Sequence, residues 1–83
     1  MIRTEDILDL LDQGIDTVPD MACHILGIER VAPSKMDEMT RREYHRVHQQ
    51  LCVRLVRMRK WREVEVVHDP LRVGKERIWR AVA

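Results

Sequence analysis

Phenylalanine is absent from the 83 residues, and the aromatic side chains amount to two tryptophans and one tyrosine. A core must therefore be assembled from Leu, Ile, Val and Met, and its net stability is expected to reach only a few kcal/mol. Glycine and proline number three each, too few for a loop-dominated or low-complexity chain. The two cysteines, Cys23 and Cys52, are far apart. A stapled secreted domain of this size normally carries four or more, so both are expected as reduced thiols. No apolar run approaches the roughly 18 to 20 residues of a membrane span. Arg3, Glu5 and Asp6 stand where a signal peptide would carry its apolar stretch. These absences lead to the expectation of a cytoplasmic protein that does not engage a membrane, with residues 1–83 forming a single small domain.

The net charge of +1 conceals a division. Residues 1–38 hold nine acids against three bases, a balance of −6, and residues 39–83 hold twelve bases against five acids, a balance of +7. Segregation of this kind suits a fold with one face turned to a polyanion. It equally suits halves that attract one another within the fold or across a dimer. Twelve of the fifteen bases are Arg, whose planar fork matches phosphate and guanine edges.

Along the chain, Thr4 reads as the cap of a first helix with Glu5 and Asp6 in its first turn. Ile7, Leu8, Leu10 and Leu11 recur at helical spacing, and Gly14 supplies the stop. Ile15-Asp16-Thr17 is an extended link, and Thr17 with Asp20 opens a second helix over 18–26, ended by Gly27. Its apolar positions are Val18, Met21, Ala22, Ile25 and Leu26. Ile28 to Met39 reads as a loop broken by Pro33-Ser34. Thr40-Arg41-Arg42-Glu43 then forms a capping box for a long helix, with Tyr44, Val47, Leu51, Leu55 and Met58 as its apolar stripe. Arg42, Arg46, Gln49, Gln50, Arg57 and Lys60 gather on the opposite face. Beyond Trp61 the period becomes two: Val64 and Val66, then Ile78, Arg80 and Val82, predict a hairpin with its loop over 69–75. A lone hairpin is barely stable, so it must lie on the helices through Val64, Val66 and Trp79 or Ile78. The fold class is α+β, a three-helix core with a C-terminal two-stranded β-hairpin.

Three stretches resemble the winged helix-turn-helix family. Thr17-Val18-Pro19-Asp20-Met21-Ala22 running to Leu26-Gly27-Ile28 is similar to the family's second helix. Leu51 and Leu55 leading to Trp61 and Val64 resemble its helix-to-strand step, and Arg77-Ile78-Trp79-Arg80 occupies the place of its last wing strand. The connection from Gly27 to Thr40 runs about twelve residues where a compact helix-turn-helix uses three or four. Lys60 stands where many members carry Gly.

The resemblance implies binding of double-stranded DNA, in a small transcriptional regulator or replication accessory factor. The third helix becomes the recognition helix. Arg42 and Arg46 are placed for guanine, Gln49 and Gln50 for adenine, and Arg41 and His45 for phosphate or base edges. Arg72, Lys75 and Arg77 of the wing would meet the flanking backbone or minor groove. The alternative is a winged-helix interaction module without DNA binding, its basic face turned to an acidic protein partner. A core this small also leaves open a homodimer through the first helix, at Leu8 and Leu11, or through the end of the third.

His45, His48 and Cys52 fall at i, i+3 and i+7 on one flank of that helix, with Cys23 and His24 on the second helix. They include no CxxC or HExxH motif, and His48 and Cys52 sit at the edge of the apolar seam, where both pack as boundary residues. No metal or cofactor is expected. With no phosphate loop, isolated acid pair or readable nucleophile–base arrangement, the chain is not read as an enzyme.

Overall fold

The computed structural model describes residues 2–67 and 77–82. Their order is α1 (Thr4–Asp12), α2 (Val18–Leu26), a 3-10 turn (Pro33–Lys35), α3 (Glu38–Lys60), β1 (Val64–Val67) and β2 (Ile78–Ala81). The strands are antiparallel neighbours, pairing Val64 with Ala81, Glu65 with Arg80, Val66 with Trp79 and Val67 with Ile78. The expected loop over 69–75, with Arg72 and Lys75, lies outside the described residues.

Each helix begins one to three residues from a side chain that satisfies an otherwise unpaired backbone donor. Thr17 caps α2, accepting from the Asp20 N–H and donating its own hydroxyl to the Asp20 carboxylate. For α1 the cap is Arg3, not the expected Thr4, which forms the first helical residue. Asp6 reaches back to accept the Arg3 N–H at 2.9 Å, so the carboxylate in the first turn does the work assigned to the threonine. In α3 the expected box at Thr40 and Glu43 is replaced by Asp37, whose carboxylate accepts from the Thr40 N–H at 2.7 Å. The helix thus starts two residues before Thr40. The stretch read as loop from Ile28 to Met39 contains a 3-10 turn and the first residues of α3.

All three helices end alike. A residue with positive φ lets its own N–H and that of the next residue turn back onto the last free carbonyls: Gly14 and Ile15 onto Leu11 and Leu10, and Gly27 and Ile28 onto His24 and Cys23. Arg62 and Glu63 bond Arg59 and Met58 in the same pattern. Glycine takes this conformation freely, yet at the third exit it falls to Arg62, at φ 60°.

The core is one cluster. Ile7 and Leu10 of α1, Val18, Met21, Ala22 and Cys23 of α2, and the full predicted stripe of α3 are buried with Val64 and Trp79. Within α2 the expected pattern shifts: Cys23 is buried, whereas Ile25 stays 41% exposed. Leu8, Leu11 and Val66 are partly buried at its margin. The hairpin closes this core, β1 packing on α3 and β2 on α1. Among the described residues, no helix is long and apolar enough to cross a membrane.

Candidate nucleic-acid interface

Because α3 buries a single stripe along its 23 residues, the side opposite that stripe stays exposed. Arg42 lies at the crest, its side chain 77% exposed, and pairs with Glu38 one turn earlier at 2.8 Å. Arg46 is likewise exposed and pairs with Glu43. His45, Gln49 and Gln50 are exposed as well. His45 stands edge-on to the Tyr44 ring, with centroids 5.6 Å apart. Exposed i,i+3 and i,i+4 pairs contribute little to folding, so their exchange for contacts to a polyanion costs little.

Arg41 differs from its neighbours. Its Nε donates to the Pro33 carbonyl at 2.9 Å, and one terminal nitrogen donates to the Met36 carbonyl at 2.8 Å. The guanidinium thereby holds the 3-10 turn against the start of α3.

The exposed surface of α3 divides into two flanks. On the hairpin side, His48, Cys52 and Val56 share a cavity of about 280 Å³ with Val18, Arg77 and Trp79. Arg77 is exposed there, at the start of β2, so the structure brings this one described wing base alongside α3. On the side of the N-terminus, Arg46, Gln50, Val53, Arg54 and Arg57 line an open groove with Ile2. Arg54, Val53 and Val56 were not singled out from the sequence. The two valines are 50% and 60% exposed; their absence from the 3-4-4-3 stripe was the available signal.

The His48 ring nitrogen Nδ1 lies 3.7 Å from the Cys52 thiol one turn on. Burial, with His45 nearby, lowers the His48 pKa and keeps the imidazole neutral near pH 7. Burial also raises the Cys52 pKa, with Arg77 opposing it. A thiol held protonated in this way is a poor nucleophile. Cys23 is buried and free. Among the described residues no group of three His, Cys, Asp or Glu side chains is placed to hold a metal ion.

No protein-family model, curated protein or solved structure matches the chain.

Proposed function

We propose that this chain is a winged helix-turn-helix protein that binds double-stranded DNA, acting as a small transcriptional regulator or replication accessory factor. The N-terminal half of α3 enters the major groove, with Arg42 and Gln49 directed to base edges and His45 to the backbone. Arg77 meets the flanking phosphates from the hairpin.

The observation that carries this reading is the exposure of Arg42, His45 and Gln49 on a long helix that has Arg77 beside it. The element order, three helices and then an antiparallel hairpin, is compatible with the winged helix. A second reading, recognition of an acidic protein partner, draws on Val53 and Val56, apolar side chains exposed among the arginines.

The test is fluorescence anisotropy of a labelled random-sequence duplex at about 50 and about 200 mM salt. Binding that falls steeply between the two supports the DNA reading. Absence of binding at the lower salt rejects it and favours the acidic protein partner.

A further inference from the structure

We propose that the N-terminus-facing flank of α3 is a self-association surface whose occupant is a second copy of this chain, joined about a two-fold axis through Gln50. The proposal does not rest on DNA binding; it leaves Arg42, His45 and Arg77 free, while Gln49 lines the groove it uses.

Two grooves meet on this flank, sharing Ile2, Arg46 and Gln50. One continues along α3 to Arg54 and Arg57, and the other carries the carboxylates of Asp6, Asp9 and Glu43. Opposite charges on adjoining halves of one patch meet the requirement of an isologous contact, in which a surface must complement itself. Rotation about the shared residues lays the acidic half of each copy on the basic half of the other.

The sequence positions sharpen this geometry. Glu43 and Arg57 stand seven residues before and seven after Gln50. Seven residues are close to two helical turns, so all three lie on one stripe. A two-fold axis through Gln50 sets Glu43 of each copy against Arg57 of the other, forming the pair twice. The same axis sets Arg46 against Arg54, a like-charge meeting. Asp6 and Asp9, which line the same groove as Arg46, bring two further carboxylates to the half that receives Arg54 and Arg57. Val53 on the basic side and Ile25 on the acidic side supply exposed apolar surface to bury.

The experiment is sedimentation velocity of the full chain without DNA at about 100 µM, a concentration that populates micromolar complexes. The wild type is expected to sediment as a dimer. Arg57→Glu and Glu43→Arg alone are each expected to raise the dimer dissociation constant at least about tenfold. The double variant E43R/R57E rebuilds both pairs with reversed polarity and is expected to recover part of the association, since Arg46 loses its Glu43 partner. Circular dichroism melts confirm that each variant is folded, and Val53→Asp provides a further disruption on the same stripe. A monomeric wild type overturns the proposal. So does a dimer that Arg57→Glu leaves intact, or a double variant that associates no better than the single ones.

Discussion

The backbone N–H of Trp79 donates to the carbonyl of Asp16 at 2.8 Å. That one bond fastens β2 to the extended link between α1 and α2, so the hairpin is secured on its outer edge as well as through β1. The Trp79 ring is buried beneath it, and its indole Nε1 has no hydrogen-bond partner among the described residues.

Trp79 is therefore both a large contributor of buried surface and the holder of an unsatisfied donor. Trp79→Ala is expected to cost about 3–5 kcal/mol, comparable with the net stability of the whole fold, and so to leave the chain largely unfolded. Trp79→Phe should cost much less, because it retains most of the apolar contact and removes an unpaired N–H whose burial carries a penalty of about 1–3 kcal/mol. Urea denaturation of the two variants decides the matter. Both variants remove the indole N–H, so a Trp79→Phe loss as large as its smaller ring alone accounts for would mean that the nitrogen carries no penalty.

Arg62 pays for a conformation that glycine adopts freely. The left-handed region costs a non-glycine residue about 1–2 kcal/mol, partly offset in Arg62→Gly by the greater entropy of the unfolded chain. The substitution should stabilise the fold by about 0.5–1 kcal/mol, at roughly 4–8 °C of melting temperature per kcal/mol for a domain of this size. A lowered melting temperature would show that the Arg62 side chain contributes more than its backbone costs.

The stripe Tyr44, Val47, Leu51, Leu55 and Met58 was legible because buried residues on a long helix must recur at its period, and all five are buried. The hairpin was legible from the switch to period two, and the stops at Gly14 and Gly27 from the need for positive φ. Helix starts were less so. Carboxylates set both starts, Asp6 accepting the Arg3 N–H and Asp37 the Thr40 N–H, whereas Thr4 and Thr40 offered equally good sequence patterns a residue or more away. Within the candidate site, Arg41 and Arg42 are indistinguishable by type and charge. Only the position of the chain from Pro33 to Met36 against the start of α3 turns one inward to carbonyls and leaves the other in solvent.

Asp37 confers a defined acid sensitivity. Hydrogen bonds from the Thr40 side chain and N–H lower its pKa below the ordinary 3.8. The fold binds the ionised form more tightly, so the contribution is complete above 3.8 and is lost as pH falls through the lower folded value. The melting-temperature gap between the wild type and Asp37→Ala should accordingly close under acid conditions. Asp37→Asn keeps a capping oxygen without a titrating proton, and its gap to alanine should persist. Parallel loss of both gaps would assign the acid sensitivity elsewhere.

The adjacent pair Arg41 and Arg42 separates folding from binding in one comparison. Arg41→Ala removes two donors from the carbonyls of Pro33 and Met36 and should destabilise the fold by about 1–3 kcal/mol, read by chemical denaturation. Arg42→Ala gives up only an exposed pair to Glu38 and should leave stability within about 0.5 kcal/mol of wild type. On a duplex the order reverses. Arg42→Ala should weaken binding by about 1–3 kcal/mol if the side chain reads a base, whereas Arg41→Ala, assayed where it remains folded, should bind almost as well as wild type. If Arg41 proved the stronger contributor to DNA affinity, the guanidinium would have to leave its carbonyls on binding. The 3-10 turn would then reorganise with it, which amide exchange across Pro33–Lys35 would detect.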